Sequence, residues 1–460
     1  MPDRDQSSML EDNNLSPDIR KLVCARCWGT VFSSKSFRIL WEESPEGIRL
    51  SKQHSFCIIQ DSDEDKAQEI AKMRLNFRNA FITILSSRAN SVSEGFLHNT
   101  HSSPPLTPIR LPFRCPDGNV GTFIIFRHSE IVEPTDSRAW CLGERVLSPR
   151  LLVFSTYGLQ YECQTTRINV NGSPLGIPSS LPRLPDYALT AEPGRVAEWQ
   201  LDMAWDVILQ RYTASGLSQQ EDKLLAIAGI AEQFHRLWPR SRYAAGIWTH
   251  QLPSALLWQQ QGYDLRERPK IYRAPSWSWA SVDGLVAPRG MAGNADTWRS
   301  ASESLYDSVN ICEVKKVEAE VKFSSNPYGA VTSASLILCA ETVRITWNTP
   351  ENPHVILPDK LSERGYLMAG HRVLDSVGYV QMDALDLPDL PIVEVTLAGV
   401  TKHPVPLPSI ARLGQHDIYG IMLLRVHEEG SDVTNYRRIG SFSMNAENWF
   451  PTSRHDIHII

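Results

Sequence analysis

The order of apolar and polar positions predicts alternating strands and helices in the first part of the chain. Phe56–Gln60 is a short apolar run typical of a buried strand, and apolar residues recur at helical spacing within Lys66–Ala80. Phe81–Leu85 is a second apolar run. Because strand, helix and strand at this spacing form a βαβ unit, the pattern predicts a parallel strand pair within an α/β sheet. The Ser-, Thr- and Pro-rich stretch His98–Pro112 is predicted to be a surface loop.

Two further short strands precede a proline-rich stretch. Leu151–Phe154 and Leu159–Cys163 are predicted strands, joined by a turn at Tyr157 and Gly158. Four prolines lie within Asn171–Pro185, and they indicate a linker between domains.

Helical periodicity follows the linker. One apolar stripe predicts a first helix through Leu201, Trp205, Ile208 and Tyr212. Ser218 and Glu221 have the spacing of a capping box. They predict the start of a second helix, whose apolar positions are Leu224, Ile227, Ala231 and Phe234.

The period changes to two after Pro288. Val317, Ala319 and Val321 alternate with charged residues, which predicts a half-buried strand. The same signal predicts further strands over Ala334–Trp347, Ile418–Val426, Tyr436–Phe442 and Ile457–Ile460. Turns are predicted at Asn326–Gly329 and Glu428–Gly430.

These patterns divide the 460 residues into several parts, as a chain of this length predicts. Residues 1–20 are predicted to be disordered, 21–170 to form an α/β module, and 171–194 to be the linker. A helical segment over 195–288 and a β-rich C-terminal domain over 289–460 complete the prediction.

Charge and hydropathy exclude several classes of function. The net charge is -6, and the scattered Lys and Arg residues offer no basic face to nucleic acid. No apolar run approaches the roughly 18 residues needed to cross a bilayer. Met1–Asn14 is acidic and polar, unlike a secretory signal peptide. We therefore expect a cytoplasmic protein that binds neither nucleic acid nor a membrane.

The eight cysteines are sparse, and several lie in apolar runs, so we expect reduced thiols. Cys24 and Cys27 form a Cys-x-x-Cys motif without the second ligand pair that zinc requires, so no metal and no cofactor are predicted. The nucleophile elbow, the Walker loop, paired metal histidines and the dinucleotide glycine fingerprint are also missing from the sequence. Hydrolases, kinases and dehydrogenases of the usual kinds are therefore disfavoured.

Five motifs in a set order and spacing carry a resemblance to a known family. They are Cys27-Trp28-Gly29, Cys57–Asp61 followed by Glu69, Met73 and Asn79, Arg138–Trp140 with Glu144-Arg145 and Leu147–Arg150, Tyr161–Cys163, and Ala274–Ser281. Together they resemble the fungal heterokaryon-incompatibility (HET domain) proteins. Further similarity extends to Gly246–Trp248 and Tyr436–Gly440, so the resemblance covers most of residues 24–283 and, more loosely, the C-terminal part.

The resemblance implies a fold, a function and partners. HET domains resemble TIR domains, a flavodoxin-like α/β fold, and their proteins trigger growth arrest or cell death when genetically different hyphae fuse. Protein partners and self-association are implied. This chain departs from the pattern, because Ala25-Arg26 replaces a usual Ser-Tyr and only about 27 residues separate Gly29 from Cys57. The module is therefore an incomplete TIR-like one that lacks a helix and a strand.

Glu69 is the candidate catalytic residue. Some TIR domains hydrolyse NAD through a glutamate carried on a helix, and the resemblance places Glu69 on the matching helix, with Lys66 where the family has Trp. A carboxylate there could hold ribose hydroxyls and stabilise an oxocarbenium-like centre, with NAD as the substrate. The simpler interpretation, which we favour, is a solvated acid in the first turns of a helix.

Two other pairs of residues have alternative roles. Glu144 and Arg145 are interpreted as the solvent side of a helix, the alternative being a polar cluster at the end of the sheet. Trp277 and Trp279 alternate in an extended segment, so both indoles face one side. They are interpreted as core residues, whereas exposed indoles would stack on sugar rings in a carbohydrate- or ligand-binding β domain.

Overall fold

The fold was analysed in a computed structural model that describes residues 62–91, 95–96, 109–125, 132–170, 183–184, 188, 194–261, 265–290, 308–348, 355–356, 367–369, 378–385, 392–402, 418–426, 434–451 and 453–460. Two compact units form within the chain. The first contains Met1–Ser62 and Leu75–Asp186, and the second contains Asp63–Arg74 and Tyr187–Ile460. The first predicted strand, Phe56–Gln60, and the predicted disordered segment 1–20 lie outside the described residues.

The first unit contains a sheet of mixed direction. Its elements are the end of helix α1 (Asp63–Asn79), β1 (Thr83–Leu85), β2 (Ile109–Arg114), β3 (Val120–Ile125), α2 (Ala139–Leu147), β4 (Arg150–Ser155), β5 (Gly158–Cys163) and β6 (Arg167–Asn169). The sheet order is β1-β4-β5-β6. Strands β1 and β4 are parallel, and the other neighbours are antiparallel. The predicted helix and the predicted hairpin at Tyr157 and Gly158 are confirmed.

A hairpin replaces the end of the predicted surface loop. The loop prediction extended to Pro112, but Ile109–Arg114 is strand β2 and pairs with β3. Asp117 accepts the main-chain N–H of Asn119 at 3.1 Å, and Gly118 adopts a φ of +87° between them. These are the residues that a tight hairpin turn favours. The prediction was wrong because proline and exposed side chains in β2 conceal the strand signal.

Helices α3 (Glu198–Ala214) and α4 (Leu225–His235) open the main body of the second unit. The predicted apolar stripes of both helices are buried, which confirms the helical prediction. The predicted capping box at Ser218 and Glu221 is wrong. A short 3-10 helix occupies Gln220–Lys223, and α4 begins after Leu224 without a side-chain cap, because the chain enters α4 through that tighter turn.

The second unit is completed by short strand pairs and one large sheet. The short strands are β7 (Tyr243–Ala244), β8 (Ile247–Trp248), β9 (Gln259–Gln260) and β10 (Val286–Ala287). The large sheet contains β11 (Val309–Asn310), β12 (Glu313–Val321), β13 (Val331–Asn348), β14 (Val355–Ile356), β15 (Leu367–Ala369), β16 (Gly378–Met382), β17 (Ile392–Lys402), β18 (Ile418–Val426), β19 (Asn435–Met444) and β20 (Ser453–Ile459). The β-rich C-terminal prediction is confirmed.

Five strands of the large sheet pair in a closed ring. Strand β13 pairs with β17 and β20, β19 pairs with β20 and β18, and β18 returns to β17. The apolar side chains that this ring buries include Leu397, Met422, Ile439 and Phe442. The predicted turn at Asn326–Gly329 is confirmed by a main-chain hydrogen bond of 3.1 Å, whereas Glu428–Gly430 lies outside the described residues.

The Ser-Trp-Ser-Trp motif lies in the core of the second unit. Trp277 is 0% exposed and Trp279 is 2% exposed, so the core interpretation is confirmed and neither indole is available to stack on a sugar ring. The extended conformation was wrong, since the motif is a turn that leads into a 3-10 helix at Trp279–Ser281. The turn brings the Trp279 indole N–H to the Gly246 carbonyl at 2.7 Å. Gly246 adopts a φ of +97°, and a Cβ there would lie 2.8 Å from the Trp279 indole nitrogen.

Candidate functional site: a cationic groove

Glu69 lies on the part of α1 that belongs to the second unit. Its carboxylate accepts the Lys72 ammonium at 2.6 Å, one helical turn away, and its side chain is 29% exposed. The same segment is fixed by ion pairs of Lys66 with Asp222 at 3.0 Å and of Arg74 with Glu232 at 2.8 Å. Glu69 therefore lies in a surface ion pair of the kind that helices form, and it lines neither of the cavities described below.

Arg145 is buried in the first unit, so its placement on a solvent face of the helix was wrong. Its guanidinium lies 2.8 Å from Glu162 and 3.6 Å from Asp136, and all three side chains are nearly inaccessible. Arg183 donates to main-chain carbonyls at the end of α2. Because α2 packs on more than one side, its charged residue must find partners inside the unit. This cluster joins α2 to β5, and its groups are occupied by one another.

The neighbouring Glu144 has a different environment. It is half-buried, and burial raises the pKa of its carboxyl from 4.5 to about 7, against the opposing charge of Arg138. Burial likewise raises the pKa of the Cys141 thiol to about 12. A thiol with that pKa is not a nucleophile near neutral pH. The helix therefore carries a protonatable acid without the activated partner that acid–base catalysis uses.

A series of hydrogen bonds in the second unit links a serine, a histidine and an aspartate. His250 Nδ1 lies 2.7 Å from Ser241 Oγ, and its Nε2 lies 3.3 Å from Asp202. The serine oxygen also accepts the His250 main-chain N–H at 3.3 Å, and Asp202 additionally holds Gln251 and Arg289. The cavity lined partly by Gln251 and Arg289 measures about 20 Å³, which accommodates no more than a water molecule. This arrangement orients the turn, and neither Ser241 nor His250 lines that cavity or the larger groove described next.

A much larger groove of about 770 Å³ lies elsewhere in the second unit. We name it the cationic groove; it is lined by residues 268–274, 276, 281, 332–334, 424–426, 437 and 460. Its volume lies in the range of sites that bind small molecules or peptide side chains. Five of these described lining residues are cationic, and none carries a carboxylate side chain: Arg268, Lys270, Arg273, Arg425 and Arg437.

Two of the arginines hold the wall of the groove in place. Arg273 is buried and donates to Asp283 at 2.7 Å and to the Ala280 carbonyl at 2.6 Å. Arg268 donates to the Ser281 hydroxyl at 2.5 Å and lies 3.3 Å from Asp383. Each guanidinium therefore lies against a carboxylate behind the wall, and Asp383 is shared with the buried Arg438.

Lys270 and Arg425 present their charges to solvent. Both side chains are exposed, and the described partner of Arg425 is the neutral hydroxyl of Thr434 at 3.3 Å. Two exposed apolar side chains follow Lys270 directly, since Ile271 is 64% and Tyr272 is 50% exposed. Cationic and apolar side chains next to one another are typical of a recognition surface, because each can contact a different part of one ligand.

Sequence reasoning did not find this groove. Its lining comes from parts of the chain that lie far apart, at 268–281, 332–334, 424–426, 437 and 460, and the ring of strands brings them together. The local signal was the run Arg268–Arg273, which combines three charged residues with Ile271 and Tyr272 between strands. Such a run alone does not distinguish a solvated loop from a binding site.

Comparison of the chain with protein-family models, curated proteins and solved structures gave no match. Within the part of the chain that the structure describes, no group of His, Cys, Asp and Glu side chains is arranged to hold a metal ion. Cys24 and Cys27 lie outside that part. The described helices include none that is both long and apolar enough to span a membrane.

Proposed function

We propose that this chain is a cytoplasmic heterokaryon-incompatibility protein, an effector of self/non-self recognition linked to growth arrest or cell death. It acts by association with protein partners, self-association included. The proposal is supported by the five ordered motifs from Cys27 to Ser281. In this proposal the first unit is an incomplete TIR-like, flavodoxin-like module, which is consistent with the parallel pair of β1 and β4.

One observation favours association over catalysis. The carboxylate of Glu69 is paired with Lys72 at 2.6 Å on the surface of α1, whereas a dinucleotide requires an enclosed cleft that excludes water. The exposed charges and apolar side chains of the cationic groove are the kind of surface that binds another protein. NAD hydrolysis through Glu69 is the alternative that the following experiment separates.

Expression in a filamentous fungus tests the proposal. The chain as written is expected to be weak or silent in growth arrest, because the short stretch between Gly29 and Cys57 would leave its first module without a helix and a strand of the family pattern. A version in which the stretch between Gly29 and Cys57 is restored from a family member is expected to arrest growth. A restored version that leaves growth normal would overturn the proposed function, and strong arrest by the unrestored chain would contradict the interpretation of the shortened module.

Substitution of the restored version then distinguishes association from catalysis. Glu69→Ala is expected to leave growth arrest and cellular NAD unchanged, as is the control Glu64→Ala at an exposed acid on the same helix. Loss of growth arrest in Glu69→Ala alone, with a folded protein and a restored NAD level, would identify NAD hydrolysis as the activity.

A further inference from the structure

We infer that the cationic groove binds an acidic segment of a partner protein in which carboxylates are interspersed with apolar side chains. This inference rests on the proposed function, since it names the partner through which association occurs. It depends on the charge of the groove, on its apolar side chains and on the rigidity of its wall.

The charge of the groove is opposite to that of the chain as a whole. The chain carries a net charge of -6, yet the described groove lining holds five cations and no carboxylate side chain. Two of the cations, Arg268 and Arg273, lie against Asp383 and Asp283, and Asp383 is shared with the buried Arg438. Lys270 and Arg425 remain exposed towards solvent. A local field of this sign accelerates encounter with an acidic partner and repels a basic one.

The exposed apolar side chains of the groove distinguish between a peptide and a simple anion as its ligand. Ile271 and Tyr272 are 64% and 50% exposed, and Leu424 and Val426 also line the groove. A phosphate group would contact the cations and leave these side chains in water. A peptide with apolar residues between its acids would cover them, and a tyrosine in such a position often contributes strongly to binding. The combination therefore favours an acidic peptide over a phosphate.

The wall of the groove is fixed before any partner binds. The Ser276 main-chain N–H donates to the Ile460 main-chain oxygen at 3.0 Å, and the Arg438 N–H donates to the Ser276 hydroxyl at 2.9 Å. Arg273 adds its hydrogen bonds to Ala280 and Val282. Because these contacts hold the segment that carries Lys270 and Tyr272, binding requires little ordering of the groove.

Fluorescence anisotropy with the full chain tests the inference. The probe is a fluorescein-labelled 12-residue peptide in which Glu alternates with Leu and Phe, compared with a Glu-Ser peptide and with a Lys-for-Glu peptide. The Glu-Leu-Phe peptide is expected to bind most tightly, and its binding should weaken as salt rises. The double substitution Lys270→Glu with Arg425→Glu should raise the Kd at least about tenfold, and Tyr272→Ser should raise it about fivefold.

The matched control places the same charge change elsewhere on the second unit. Arg344 and Lys402 are exposed cations on strands outside the groove, so Arg344→Glu with Lys402→Glu should leave the Kd within about twofold. Circular dichroism should show that both double variants are folded. An equal loss in the two double variants, equal binding of the Glu-Ser peptide, or displacement of the probe by inorganic triphosphate at the Kd of the peptide would overturn the inference.

Failure of this inference is distinguishable from failure of the proposed function. A restored chain that arrests growth while the acidic peptide does not bind would leave the effector role standing and reject the groove as its binding surface. A chain that binds the peptide but never arrests growth in the restored form would retain the groove and reject the effector role.

Discussion

Arg438 and Asp383 form a buried ion pair whose removal has a calculable cost. The two side chains are 0% and 1% exposed, and the guanidinium Nε lies 3.0 Å from the carboxylate. Arg438 also donates to the carbonyls of Leu256 and Trp258 at 2.6 Å each, and its guanidinium carbon lies 3.6 Å from the centre of the Trp258 ring. Every charge and donor in this pair is therefore removed from water.

Arg438→Met removes the charge and keeps much of the side-chain volume. Asp383 would lose its contacts with Arg438 and keep the longer contact of 3.3 Å with Arg268, and two main-chain carbonyls would lose the Arg438 donor. Breaking a buried pair on one side costs about 3–5 kcal/mol, because it leaves an uncompensated charge. Asp383→Asn should cost about 2–3 kcal/mol, since the amide oxygen can still accept one hydrogen bond.

The double variant measures the coupling between the two residues. The double variant should lose about 2 kcal/mol less unfolding free energy than the two single variants lose in sum. The measurement is urea unfolding followed by tryptophan fluorescence, in which the second unit dominates because most of the 13 tryptophans lie after Asp186. A coupling below about 0.5 kcal/mol would refute the reasoning, since the pair would then act as two independent side chains.

Three further changes test other parts of the structure. Glu144→Gln should stabilise the first unit by about 1–3 kcal/mol at pH 8 and hardly at pH 4.5. The reason is that the Glu144 carboxyl, whose pKa is about 7, ionises as the pH rises from 4.5 through 7, and its ionisation destabilises the folded first unit. Thermal unfolding of both proteins at the two pH values measures this difference, and equal effects at the two pH values would contradict it. Trp279→Ala should destabilise the second unit by about 3–5 kcal/mol and yield insoluble protein, so a soluble variant of normal stability in urea would exclude the core role. Gly420→Ala should abolish folding of the ring of strands, because its Cβ would lie 2.2 Å from the Ala398 carbonyl oxygen. Protection of the β18 amides from hydrogen exchange equal to that in the unsubstituted protein would contradict this prediction.

The sequence predicted the strands and helices whose buried positions recur at a regular period. The alternation of Val317, Ala319 and Val321 is reproduced in the burial of β12, and β18 has the predicted bounds. The apolar stripe of α3 was readable for the same reason, since a helix buries the residues that recur at its period. The β2–β3 hairpin was missed because its apolar residues, such as Ile109 at 59% exposure, do not lie on one buried face and so produce no alternation of apolar and polar positions.

Distant partners decided the features that sequence reasoning missed. Arg145 follows an acid on a helix, which is typical of a solvent-facing side, yet its partner Glu162 lies on β5 beyond the next strand. The buried pair of Arg438 and Asp383 is likewise created by the packing of separate segments. No periodicity in one element records the neighbour that another element brings to it. The closed ring of strands and the groove beside it are therefore properties of the tertiary structure alone.

The residues that carry the family resemblance act mainly as parts of the scaffold. Trp277, Trp279 and Arg438 are inaccessible, and Arg145 with Glu162 ties a helix to a strand inside the first unit. Residues with such roles are constrained by packing and can be shared by proteins that recognise different partners. In the proposed function, specificity would come from exposed positions on the scaffold that can vary without unfolding it. The groove residues Lys270, Ile271, Tyr272 and Arg425 meet that requirement, because the first three lie between Arg268 and Arg273, whose hydrogen bonds fix the backbone, and Arg425 lies on β18, which pairs with β19. Under the proposed function, exchange of these exposed residues should therefore change the partner, whereas exchange of the buried motif residues should remove the fold.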